Sequence, residues 1–170
     1  MGPGITLTEL NSRDREGFVN AVGWVFEHSP WVAERAWTQR PFNSIDALHD
    51  AMIAQVASAT LDEQLTLLRA HPDLGARASV SDASAAEQAG AGLDTLGGRE
   101  LERLHVLNAA YRGKFDFPFL YAVKGSTKED ILNAVEKRLL SARDAELGEA
   151  LRQVYRIARF RLDEMFRSRL

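Results

Sequence analysis

Apolar residues recur three and four positions apart along almost the whole chain, which is the period of a helix with one buried face. That spacing leaves an all-α fold as the expectation. The clearest run is Leu147, Leu151, Val154, Ala158, Arg161 and Met165, which predicts one long helix over 144–166. Phe18, Val22, Val25 and Phe26 predict a helix over 14–27. Ser29-Pro30 ends it and starts a short helix carrying Trp31 and Trp37. Pro41 separates that from the next element, where Ser44 caps a stripe of Ile45, Leu48, Met52 and Val56. Thr60 and Glu63 have capping-box spacing, with Leu61, Leu65 and Leu68 on the expected inner face. A helix over 99–112 carries Leu101, Leu104, Leu107 and Tyr111. Another opens at Ser126-Thr-Lys-Glu129 with Ile131, Val135 and Leu139. Phe115, Phe117, Phe119 and Tyr121 alternate at period two, but no second strand pattern exists to pair with them. Residues 113–125 therefore read as an extended aromatic loop packed on helices. The expected architecture is a single compact bundle of about eight to nine helices.

The 170 residues are 45% hydrophobic and 26% charged, with 12 Gly and 5 Pro, and show neither repeats nor a polar linker. We expect one domain over 1–170, with 1–12 as a loose N-terminal segment. A chain of this length buries roughly 70% of its unfolded surface, enough for a core without disulfides or metal. The absence of cysteine excludes thiolate nucleophiles, disulfide scaffolds and cysteine-type metal centres, and leans weakly toward the cytoplasm. Lys and Arg total 21 against 24 Asp and Glu, for a net charge of −3 with no basic block, so nucleic acid is not an expected partner. No stretch reads as a membrane span or secretion signal. The C-terminal Ser168-Arg169-Leu170 resembles a peroxisomal address, which would matter only in a eukaryotic host. It also reads simply as the end of a helix.

Chemistry is concentrated in three places. Arg161 falls inside the apolar stripe, where a guanidinium needs a carboxylate partner or an anionic or carbonyl-bearing ligand. His71 precedes Pro72, which forces the chain out of the helix and orients the imidazole at a helix mouth, as proton transfer requires. It reads equally as a hydrogen-bonded, partly buried histidine beside a turn-capping Asp73. Ser84 and Glu87 have the spacing of a capping box, and the helix they would open also offers N–H groups to an anion. Gln88 adds an amide next to Gly90 and Gly92, and the Phe115–Phe119 run either walls a pocket or fills core. His71, Asp73 and Glu87 form no recognised metal-ligand pattern.

Four segments together resemble the OHCU decarboxylase family, whose substrate is 2-oxo-4-hydroxy-4-carboxy-5-ureidoimidazoline. They are Arg69-Ala-His-Pro-Asp-Leu-Gly75, Ser84-Ala-Ala-Glu-Gln-Ala-Gly-Ala-Gly-Leu93, Asn108-Ala-Ala-Tyr-Arg-Gly-Lys-Phe-Asp-Phe-Pro-Phe119 and Ile157-Ala-Arg-Phe-Arg-Leu162. The resemblance implies an all-α homodimer that needs no metal or organic cofactor and acts as a carboxy-lyase, forming (S)-allantoin and CO2 in urate degradation. It also implies roles for residues. His71 would be the catalytic histidine and Glu87 its acidic partner at the substrate hydroxyl. Ser84, Gln88 and Arg161 would hold the ureido and ring groups. Pro72, Phe117 and Phe119 would line the pocket, with backbone N–H groups after Phe119 as further donors.

Two rivals stand beside this reading. His71-Pro72-Asp73 is also the signature tripeptide of J-domain co-chaperones, but there it follows a strongly basic helix. Here Arg69 is the only basic residue of 52–70. The second rival is a metal-dependent hydrolase or a related ureide-pathway enzyme with a different substrate.

Overall fold

The computed structural model describes residues 5–75 and 81–167, so the terminal Ser168-Arg169-Leu170 motif lies outside the described residues. Nine α-helices are present among them: α1 (Leu7–Asn11), α2 (Arg15–Val22), α3 (Trp31–Ala36), α4 (Ile45–Ala57), α5 (Leu61–Arg69), α6 (Asp82–Gly90), α7 (Gly98–Phe115), α8 (Lys128–Arg138) and α9 (Arg143–Arg167). Short 3-10 turns occupy Gly23–Val25, Trp37–Gln39 and Leu93–Thr95. The described residues contain no strand, so the fold is all-α as the periodicity requires. No helix among them is long and apolar enough to cross a membrane. The chain divides into two compact units, Met1–Leu67 with Tyr155–Leu170, and Leu68–Val154.

In the first unit the helix expected over 14–27 is shorter. Asp14 caps it by accepting from the Gly17 N–H at 2.8 Å, and after Val22 the chain tightens into the 3-10 turn. The stripe on α4 is as expected: the Ser44 hydroxyl accepts from Ala47 N–H at 3.0 Å, and Leu48, Met52 and Val56 are fully buried. A side-chain cap of this kind stabilises a helix by about 1 kcal/mol. Thr60 and Glu63 form the expected reciprocal box, each backbone N–H meeting the other's side chain at 3.1 Å. The inner face of α5 differs from expectation. Leu67 and Leu68 are buried, whereas Leu61 is 56% exposed, because it occupies the first turn, two turns ahead of Leu68 on the same face. Phase alone does not bury a residue at a helix end. Within this unit the C-terminal part of α9 buries Ala158, Leu162 and Phe166.

In the second unit α7 packs on α8. Its buried residues are Leu104, Asn108, Tyr111 and Phe115, so the polar Asn108 takes the place expected of Leu107. The helix runs to Phe115 and stops where Asp116 adopts a left-handed φ of 65°, which shortens the aromatic loop to 116–127. Helix α8 begins one residue later than expected, on a capping box of Thr127 and Asp130. The part of α9 in this unit buries Glu146, Ala150, Gln153 and Val154 rather than Leu147 and Leu151.

Candidate active site

Pro72 acts as the sequence implies: α5 ends at Arg69, and His71 leaves the helix with its N–H still bonded to Leu68 O at 3.2 Å. His71 is 6% exposed. The residues that follow it are tied at three consecutive points. Asp73 receives Arg112 Nη2 at 3.0 Å, the Leu74 carbonyl receives Asn108 Nδ2 at 2.9 Å, and Gly75 N–H donates to Gln88 Oε1 at 2.8 Å. Gly75 has φ +83°, and a Cβ there would lie 2.9 Å from Leu104 Cδ2. Glycine is thus required for both conformation and space. Arg69 adds a fourth tie, donating to Asp116 O at 3.0 Å and Oδ2 at 2.8 Å.

Ser84, Glu87 and Gln88 share one face of α6, being three and four residues apart. Ser84 does not cap that helix. Ser81 does, in an extended conformation, with its hydroxyl accepting from Ser84 N–H at 3.1 Å. The expected Ser84–Glu87 capping box is therefore replaced by a single Ser81 cap a turn earlier, which places Ser84 inside the helix. Ser84 and Gln88 are buried and Glu87 half-buried. With Gln88 Oε1 committed to Gly75, the amide's remaining function is its NH2 donor.

Phe117 and Phe119 are buried around the Tyr111 ring, with centroids 5.9 and 5.3 Å from it, and Phe115 lies tilted against the same ring at 4.6 Å. Among the described residues, the backbone N–H groups of Phe119, Leu120 and Tyr121 meet no hydrogen-bond acceptor. Phe119 and Leu120 are buried and Tyr121 half-buried, and buried N–H groups are rarely left so, which marks this stretch as a candidate donor set for a ligand. Asn108 Oδ1, in the same unit, is likewise buried without a partner among the described residues.

Behind the aromatic segment lies a buried polar network that sequence reasoning missed. Glu146 Oε1 accepts from Tyr111 OH at 2.6 Å and from Arg138 Nε. Arg138 Nη1 donates to the Leu120 carbonyl, and its guanidinium lies 4.6 Å from the Phe119 ring centre. Gln153 Oε1 accepts from Ala122 N–H at 2.9 Å. Burial, reinforced by the Glu146 carboxylate, pushes the Tyr111 phenol above its ordinary range.

Seven of the eight expected site residues, His71, Pro72, Ser84, Glu87, Gln88, Phe117 and Phe119, lie in the unit Leu68–Val154. Arg161 lies in the other, where it is 4% exposed. It faces Glu27 Oε2 at 3.3 Å, the carbonyls of Trp24 and Val25 at 3.3 and 3.4 Å, and the Trp24 ring at 5.9 Å. Glu27 is itself 2% exposed, next to His28 with its φ of 46°. The buried arginine of the stripe therefore has its carboxylate. A signal for Asn108 was present, a polar residue four after Leu104 and three before Tyr111. Glu27, Arg138, Glu146 and Gln153 carried none of comparable strength.

In chemical terms the larger unit holds an imidazole, a carboxylate, a hydroxyl and an amide donor, beside aromatic walls and N–H donors. That set suits positioning and proton transfer on a polar, partly anionic small molecule. Among the described residues no three His, Asp or Glu side chains converge as a metal site would need.

Comparison with known proteins identifies the family. The family model for OHCU decarboxylase matches residues 11–163. A 2-oxo-4-hydroxy-4-carboxy-5-ureidoimidazoline decarboxylase of Halalkalicoccus jeotgali is 48% identical over 161 residues, 95% of this chain and 92% of that protein. One of Haloferax volcanii is 48% identical over 164 residues, 96% of this chain and 98% of that protein. The crystal structure of an (S)-allantoin synthase superposes with a TM-score of 0.79 at 33% identity, over 95% of this chain and 54% of that one. With a match across 153 of its 170 positions (11 through 163) and near-full-length relatives at 48% identity, the chain belongs to the OHCU decarboxylase family.

Proposed function

We propose that this protein is a carboxy-lyase that converts 2-oxo-4-hydroxy-4-carboxy-5-ureidoimidazoline to (S)-allantoin and CO2, with no metal or organic cofactor. The observation that carries the reading is the bond from Gly75 N–H to Gln88 Oε1, which ties the His71 segment to the α6 face bearing Ser84, Glu87 and Gln88. The names of the full-length relatives support the substrate.

The substrate supplies its own electron sink. Its carboxylate sits on a ring carbon next to a C=N bond, so the carbon–carboxylate bond breaks as CO2 while its electron pair moves toward that bond. The ring nitrogen that receives the pair takes up a proton, and the result is a neutral enol. Loss of the hydroxyl proton and addition of one proton to the neighbouring carbon then give allantoin. The protein's share is placement, stabilisation of developing charge and delivery of that proton to one face. Glu87 accepts from the hydroxyl, and His71 serves in proton transfer. Ser84, Gln88 and Arg161 hold the ureido and ring groups. Pro72, Phe117 and Phe119 form the wall, and the N–H groups that follow Phe119 donate to substrate oxygen.

The same reading takes the whole chain as one functional domain, since the family match spans both units. It takes the protein to be a cytoplasmic homodimer, with a peroxisomal location as the alternative in a eukaryotic host. The decisive variant is His71→Ala. It should lower kcat by roughly 10²-fold or more while leaving the far-ultraviolet helix signal unchanged. A folded His71→Ala protein with wild-type turnover would remove His71 from the mechanism.

A further inference from the structure

The two peptides on either side of Tyr121 are each fastened from behind, one by its carbonyl and one by its N–H. Arg138 Nη1 donates to the Leu120 carbonyl, and Gln153 Oε1 accepts from Ala122 N–H at 2.9 Å. Both fasteners are themselves held. Arg138 is bound to Glu146, which also receives Tyr111 OH, while Gln153 Nε2 donates to Glu149 Oε1 at 2.9 Å.

This arrangement has a directional consequence. The 120–121 peptide is trans, so its C=O and N–H point in opposite directions. With the Leu120 carbonyl turned to Arg138, the Tyr121 N–H points away from the Arg138–Glu146 network. It meets no acceptor among the described residues. A guanidinium bound to the carbonyl also polarises the peptide, which strengthens the N–H at its other end as a donor. Gln153 removes Ala122 N–H from the candidate donors and fixes the adjoining peptide plane.

We propose that Arg138 and Gln153 are positioning residues for substrate binding, which clamp the peptides flanking Tyr121 and aim the Tyr121 N–H at an oxygen of the bound ureidoimidazoline. They do not touch the substrate. This rests on the decarboxylase reading above, in which N–H groups after Phe119 contact substrate.

The test uses Gln153→Leu, the swap Gln153→Glu/Glu149→Gln, and the double variant Arg138→Met/Glu146→Gln, which removes the guanidinium without stranding a buried charge and leaves Tyr111 a partner. Each is assayed for kcat and KM, for inhibition by (S)-allantoin, and for amide hydrogen exchange over 117–123. Gln153→Leu and the double variant should exchange at least about tenfold faster there. Their KM and (S)-allantoin inhibition constant should rise about tenfold, with kcat changed far less. The Gln153→Glu/Glu149→Gln swap, which keeps an acceptor for Ala122 N–H and a hydrogen bond between positions 153 and 149, should recover most of that loss, which a role in packing alone would not predict. Unchanged exchange in Gln153→Leu would overturn the clamp whatever the activity. Faster exchange with wild-type KM and inhibition in an active enzyme would overturn its link to substrate. A wild-type protein that does not turn over the ureidoimidazoline at all would instead overturn the decarboxylase reading, and the substrate half of this proposal with it.

Discussion

Two arginines, one in each unit, Arg161 buried and Arg138 largely so, solve the same problem differently. Arg138 is knotted into a network in which a single Glu146 oxygen serves both it and Tyr111, while its other nitrogens reach the Leu120 carbonyl and approach the Tyr111 hydroxyl at 3.5 Å. Arg161 faces Glu27 and the carbonyls of Trp24 and Val25 at 3.3 to 3.4 Å, near the outer limit for a hydrogen bond. Close, convergent bonds offset the desolvation of a buried charge; long ones do so less completely. The difference teaches that burial and a carboxylate partner do not by themselves make an arginine structural. Arg138 is built to hold backbone in place. Under the proposed function the Arg161 guanidinium serves a ligand as well as Glu27.

The largest effect should come from breaking the tighter network. Arg138→Ala leaves Glu146, 1% exposed, as a stranded charge and should cost about 3–5 kcal/mol in urea unfolding. A loss below about 1 kcal/mol would erase the contrast. Arg161→Ala strands Glu27, 2% exposed, in the same way and should cost up to about 3–5 kcal/mol, and should act on turnover mainly by raising KM. An unchanged KM in Arg161→Ala would make both arginines structural.

A smaller effect should follow from the Tyr111 hydroxyl. Tyr111→Phe removes a 2.6 Å bond to Glu146 and should cost about 1–3 kcal/mol near neutral pH. Because burial and Glu146 raise this phenol above its ordinary value of 10.0, the folded state favours the protonated form. Its contribution is complete below that value and is lost as pH rises beyond it, where the unfolded chain ionises first. Thermal unfolding above pH 10 should therefore fall more steeply in the wild type than in Tyr111→Phe. Parallel profiles would show that the phenol titrates alike in both states.

Much of this was legible in the sequence, for identifiable reasons. Helical spacing marked α4 and α9, because an amphipathic stripe depends on local phase alone. Pro72 marked the exit of His71, because a proline acts on the residue directly before it. Arg161 stood out as a charge among Leu147, Leu151, Val154 and Ala158. The Ser84–Glu87 spacing was misread as a capping box, since Ser81 offers the same hydroxyl one turn earlier and spacing cannot rank two candidate caps. Arg138 escaped notice because a basic residue in the last turn of a helix is ordinary. Its partners, Glu146 and the Leu120 carbonyl, are brought to it only by tertiary packing. Gln153 was hidden for the same reason, one position ahead of Val154 in the stripe.

The most direct test of the account follows the product's chirality. Purified protein is added to urate with urate oxidase and hydroxyisourate hydrolase, and circular dichroism of the allantoin is recorded over time. The account predicts a prompt signal for the S enantiomer, formed faster than the unassisted decay of the intermediate. Racemic allantoin appearing at the unassisted rate, from protein shown to be folded, would contradict it.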